Sequence, residues 1–238
     1  MSVTTRRFRS LLSRSFAPQL RDVGFRGSAG VYRRLESAPF VHLVQLFVDR
    51  HGASTWLELG VHVDGLPAVT QTVVGDREID VAGCLIRRDV ERRALLRRKR
   101  VVVPLGASDD EALGSIAVLT SAVATQAPRF FAHWSSFPEP LVGLSVDDVL
   151  RGRLDKNVFG DPLPLPLLLL LAELHVTLDH PRRAQEFAEA GLGQIDSPRG
   201  VRLERLFRRI LAGDDRFGFT TADLAEFTKE QDRFFDDL

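Results

Sequence analysis

Between residues 30 and 63, three runs rich in β-branched and aromatic residues are separated by turn-forming clusters at 36–39 and 49–54. That spacing predicts an antiparallel meander. In extended backbone, side chains alternate between faces. Val41, Leu43, Gln45 and Phe47 therefore share one side of the second run, and His42, Val44, Leu46 and Val48 share the other. The third run sorts more sharply, with Thr55, Leu57, Leu59, Val61 and Val63 against Trp56, Glu58, Gly60 and His62. One face is built for packing; the other is mixed.

Before the meander, Phe8, Leu11, Leu12, Phe16 and Leu20 fall at helical spacing and predict a first helix over 4–23. Pro18 marks a kink or boundary in it, and Gly24 suits its end. After the meander, 68–80 reads as a loop with a short edge segment, 79–91 as a strand passing into a turn near Glu91, and 101–105 as a further strand. The sheet then has about five antiparallel strands. Ser108, Asp109, Asp110 and Glu111 have the form of a capping box opening a helix. Its buried stripe is expected at Leu113, Ile116, Ala117, Thr120, Val123 and Ala124, and Pro128 should end or kink it. The aromatic group Phe130, Phe131, Trp134 and Phe137 reads as core rather than as a ligand platform.

Ser145 with Asp147 and Asp148 starts a short helix ending near Gly152. From 156 to 166 the chain reads as a connection, with Gly160 and prolines 162, 164 and 166. This divides it into an α+β domain over 1–155 and a helical section over 156–238. The latter should hold helices over 167–178 and 182–192, one opened by Ser197 and Pro198, and one opened at Thr220 or Thr221. The predicted class is α+β: an antiparallel sheet of about five strands packed by helices, followed by an all-helical C-terminal section.

Composition changes this picture in few places. At 238 residues and 44% hydrophobic content, the chain can bury a substantial core. Formal net charge is zero, which excludes a global field drawing nucleic acid or an anionic membrane. Charge is polarised, however: Asp22 is the single acid in the first 34 residues among many arginines, and 214–238 is strongly acidic. With Cys84 as the only cysteine there is no intrachain disulfide, and a reducing cytoplasm is the simplest setting. A catalytic role for that thiol is the lesser reading. The most apolar run, 163–172, is half the length of a membrane span and contains prolines. Lysine occurs only at 99, 156 and 229, arginine supplying the other positive charges, a bias that points to a GC-rich bacterial genome.

A set of residues over 16–63 carries a resemblance: a helix reaching Leu20, the pair Gly24 and Phe25, Tyr32 and Arg33 in the first strand, Gln45 in the second, and Leu59, Gly60 and Val61 in the third. Cys84 followed by Arg87 and Arg88 extends it. In these the first 150 or so residues resemble the bacterial family of domain of unknown function 4304, departing from it at 101–103, where tryptophan is expected. The family brings a fold grouping and no activity. The segment 171–192 resembles one tetratricopeptide-type hairpin, with Ala172, Leu174, Leu178, Ala184 and Leu192 at small or apolar positions. Asp179 stands in place of a turn glycine and Gly191 in place of a packing alanine, and no second copy follows.

Chemistry could sit in two places. Eight bases lie between Arg87 and Arg100. Of these, Arg92, Arg93, Arg97 and Arg98 are the candidate anion-binding set, able to neutralise phosphates in a salt-dependent way. Arginines guarding a sheet edge or pairing with the acidic C-terminal segment account for them more simply, so nucleic acid is the less favoured partner. On the mixed face, Tyr32 or Arg33, Gln45, Glu58, His62 and one of Arg87 or Arg88 form a candidate ligand site if they converge; Arg33, Gln45, Glu58, His62 and Arg88 are the chosen set. A buried Gln45 closing a hydrogen-bond network is the plainer reading of that residue. Phosphate-binding loops, dinucleotide fingerprints and nucleophile elbows are missing, and the six histidines lack metal-ligand spacing, so no cofactor and no metal is expected. The sequence therefore leans away from an enzyme. It points to a cytoplasmic protein-interaction module, an adaptor or a toxin-neutralising immunity protein, with another protein as partner and its own oligomeric state open. Small-ligand binding or catalysis on the mixed face is the first alternative.

Overall fold

The structure, a computed structural model, describes residues 3–28, 30–37, 39–64, 79–94, 97–195 and 201–213. The expected loop over 68–78, the Ser197 and Pro198 helix opening, the helix at Thr220 or Thr221 and the acidic segment lie outside the described residues.

The expected first helix is two: α1 (Thr5–Ser15) and α2 (Ala17–Asp22), broken at Phe16 just before Pro18. Pro18 falls in the first turn of α2, where its missing N–H costs nothing. Gly24, at φ 88°, ends α2 while the Phe25 N–H returns to the Leu20 carbonyl. The meander follows as β2 (Val31–Ser37), β3 (Phe40–Val48) and β4 (Ser54–Val63), preceded by a short edge strand β1 (Arg26–Ser28). Strand β5 (Ile86–Asp89) lies on the far side of β4, giving the antiparallel order β1-β2-β3-β4-β5. The run 79–91 thus divides into a tight turn at Val81–Gly83 and this strand. The expected strand at 101–105 shrinks to β8 (Val103–Pro104), which also pairs with β4. Instead of a turn near Glu91 there is a separate two-stranded ribbon, β6 (Glu91–Ala94) with β7 (Arg97–Arg100).

Helix α3 (Asp109–Ala132) crosses the packing face of the sheet. Its stripe is rotated from the expected one: Ala112, Ser115, Ile116, Leu119, Val123, Ala127, Phe130 and Phe131 are buried, while Leu113, Ala117 and Ala124 are exposed. Pro128 lies inside the helix without ending it, on an exposed side. Arg7 of α1 and Asp109 at the start of α3 form an ion pair joining the two helices.

Beyond α3, a reciprocal capping box at Ser145 and Asp148 opens α4 (Val146–Leu150). A short helix α5 (Lys156–Phe159) lies within the expected connection. The helical section is α6 (Pro164–Thr177), α7 (Pro181–Leu192) and α8 (Val201–Leu211). One apolar cluster runs from Phe8 and Leu12 through the packing face of the sheet and α3 to Trp134, Phe159 and the leucines of α6, and on to Phe187 and Phe207. A second, small cluster of Val41, Leu43, Ile79, Val81 and Cys84 sits on the mixed face, under residues 79–84.

Candidate functional site

Register carries Arg33, Gln45, Glu58 and His62 onto the same face, because cross-strand partners share a side. Gln45 pairs with Glu58, and the row Arg33, Leu43, Gly60, Arg87 runs beside it. Arg88 pairs with Leu59 and so belongs to the packing face; Arg87 is the arginine on the mixed side. Two members of the set hold the chain rather than a ligand. Arg33 Nε donates to the Ile79 carbonyl at 2.6 Å, and Gln45 Oε1 accepts from the Val81 N–H at 2.7 Å. Glu58 and His62 share a strand and a face, but four residues of strand separate them by about 13 Å. They do not form a dyad.

Glu58 instead faces the open edge of β5, in a cleft of about 590 Å³ lined by Arg87, Arg88, Asp89, Glu91, Arg100 and residues of the helical section. Most of the charges in this cleft are committed to one another. Arg100 reaches Asp89 at 2.7 Å and Glu58 at 3.6 Å and lies over the Trp56 ring; Arg88 approaches Glu91 at 3.7 Å. Cys84 is buried on the same face, where desolvation and then Asp80 push its thiol pKa far up, so it is no nucleophile. The anion-binding set falls on the ribbon, where Arg92 stands opposite Lys99, Arg93 opposite Arg98 and Ala94 opposite Arg97.

The packing face holds a cavity of another kind. Phe16, Leu20, Val23 and Phe25 on one wall, and Val123, Ala127 and Phe131 on the other, enclose a groove of about 550 Å³ between α2 and α3, with Arg34 and His42 among its lining. These two are cross-strand partners on β2 and β3, and Arg34 Nη2 lies 3.2 Å from His42 Nδ1. A guanidinium can only donate, so Nδ1 accepts, and the ring proton sits on Nε2, which donates to the Trp134 carbonyl at 3.0 Å. The His42 ring stacks on Phe131 at 4.5 Å. Arg34 is also fixed by the Val23 carbonyl at 3.2 Å and by the faces of Phe25 and Phe131, at 5.0 and 5.8 Å. Pro128 lines the groove too, and lacks the N–H that would pair with the carbonyl of Ala124 one turn back.

The result is an apolar slot with a positive, donor-rich end, the usual composition of a small-molecule site. Sequence reasoning passed over Arg34. The available signal was His42, a polar residue in the otherwise apolar set His42, Val44, Leu46 and Val48, which asks for a partner on the neighbouring strand.

Among the described residues no cluster of three or more potential metal ligands occurs, and no helix is long and apolar enough to cross a membrane. Comparison with curated proteins and with solved structures finds no match. A family model described as a domain of unknown function, DUF4304, matches residues 16–133. Every residue lining the groove except Ser135 falls inside that segment. Residues 16–133 are thus the part of the chain that matches the DUF4304 domain.

Proposed function

We propose that the DUF4304 domain is a non-catalytic binding module whose groove between α2 and α3 takes a small amphipathic anion. The ligand's apolar body lies between Leu20, Val23, Val123 and Phe131, and its acidic head meets Arg34. The observation that carries this reading is the guanidinium of Arg34, positioned by His42 at the end of an apolar groove. Both nitrogens of His42 already have protein partners, which suits a positioning role rather than proton transfer. An adaptor or immunity role would rest on the helical section. There α6 buries nine consecutive residues, 167–175, around its whole circumference and offers no free face.

Calorimetric titration with decanoate and decanol tests the proposal. Decanoate should bind the intact chain, and Ala124→Trp, placed at an exposed position in the groove wall, should abolish binding with far-UV circular dichroism unchanged. Arg34→Gln should weaken decanoate by roughly tenfold to a hundredfold, the worth of a charge-assisted hydrogen bond of about 1.5–3 kcal/mol, and leave decanol unaffected. Decanoate bound equally by Ala124→Trp would overturn the site, and equal binding by Arg34→Gln would overturn the role of the arginine.

A further inference from the structure

A separate feature lies at the turn joining α6 to α7. Helix α7 begins with Pro181, Arg182 and Arg183; its N-cap His180 makes no side-chain cap, and no acidic residue stands in its first turn. Pro181 has no N–H, so the outward-pointing donors of this end are the N–H groups of Arg182 and Arg183, at the positive end of the helix dipole. Over this end opens a cavity of about 630 Å³ lined by Val142, His175, His180, Pro181, Arg182 and Arg183, with no carboxylate in its lining.

A second observation at the same place is independent of the helix end. His175 comes from α6, is 1% exposed and lines the cavity. Its Nδ1 lies 3.3 Å from His180 Nδ1, while its buried Nε2 has no hydrogen-bond partner. Burial first, and then the neighbouring Arg183 and His180, push the His175 pKa down to about 4, with Glu186 acting the other way. With Arg182 and Arg183 in its lining and no carboxylate, the cavity is electropositive where it meets the helix. Arg183 is held by the Leu144 carbonyl at 2.6 Å, by Glu186 at 3.5 Å and by the Phe187 ring. Arg182 and His180 are exposed beside it.

We infer that this turn binds the phosphate group of a phosphomonoester. The tetrahedral dianion offers several acceptor oxygens to the Arg182 and Arg183 N–H groups, the Arg182 guanidinium and the His180 ring. Val142 and Pro181 provide an apolar wall for whatever the phosphate is attached to. The site is distinct from the groove, lies outside the family segment, and stands or falls independently of it.

The probes are inorganic phosphate and phenyl phosphate, with a phosphoserine peptide as a third arm to separate a free from a protein-borne phosphomonoester. Imidazole proton NMR of the full chain reads the site directly. Phenyl phosphate should shift the His175 and His180 signals saturably and bind more tightly than inorganic phosphate. Arg182→Gln, at an exposed position, should weaken binding at least tenfold with the fold unchanged by circular dichroism. Arg208→Gln on α8 should leave binding intact. Absence of a saturable shift with all three probes, equal binding by Arg182→Gln, or equal losses in Arg182→Gln and Arg208→Gln would each overturn the inference.

Discussion

His175 shows how one buried side chain can set a pH limit. Its folded pKa, near 4, lies below the ordinary value of 6.5, so between those values the unfolded chain binds a proton that the folded chain refuses. The stability it contributes is present above about pH 6.5 and is lost as pH falls toward 4. Asp49 acts in a lower window. Held at about 2 by the Ser54 hydroxyl and by the N–H groups of Ala53, His51 and Ser54, it contributes stability above about 3.8 that is lost toward pH 2. Melting temperature should therefore fall in two stages on acidification, and His175→Phe should flatten the first stage only. A wild-type curve level between pH 6.5 and 4 would exclude this. The same scale explains why the groove was hard to read from sequence. Arg33 and Arg34 are adjacent, and in a strand a step of one residue changes the face. The alternation sorted the faces of β3 and β4 correctly, but nothing in it says which face a helix will leave partly uncovered.

Glycine at 191 belongs to the level of elements. A Cβ built there would meet the Phe207 ring of α8 at 2.2 to 2.6 Å, so the ring occupies the place where a repeat-type hairpin would carry alanine. Phe207 is fully buried and has little room to retreat. Gly191→Ala should cost about 1–3 kcal/mol by overpacking, and pairing it with Phe207→Leu should recover part of that loss in urea unfolding. Strict additivity of the two changes would refute the contact. Helices with one apolar stripe were legible from period alone, which is why α7 was expected where it lies and α1 as the start of a longer helix, while β3 and β4 were legible as β-branched runs between turn clusters. The ribbon β6–β7 was not, since its run of basic residues carries no apolar alternation. Strand β1 is three exposed residues and offers no pattern either. The rotated stripe of α3 has a different cause: Leu113 and Val118 are apolar yet exposed, and the small Ala112 and Ser115 pack inward. Apolar character at those positions points away from the true buried side.

For the molecule as a whole, the question is whether 1–155 and 156–238 behave as two bodies or one. Trp134 stands where they meet. Fully buried, it takes Phe40 of the sheet edge-on from one side at 5.4 Å and Phe159 of α5 from the other at 5.5 Å, while its Nε1–H donates to the Val158 carbonyl at 3.3 Å. Nearby, Gly160, at φ 70°, lies so close to the Arg87 carbonyl that a Cβ would stand 2.1 Å from it, and the two residues form a bridge between β5 and the start of the helical section. A boundary lined with such contacts transmits unfolding across itself. Phe159→Ala should remove about 3–5 kcal/mol. The loss should be felt equally by tryptophan fluorescence, to which only Trp56 and Trp134 of the first part contribute, and by far-UV circular dichroism, to which α6, α7 and α8 contribute alongside the helices of the first part. In urea the two signals should keep one common midpoint in wild type and variant, both moving to lower concentration. If fluorescence holds its midpoint while part of the helical signal melts early, the two parts fold as separate units, and Trp134 is a contact between them rather than the centre of one core.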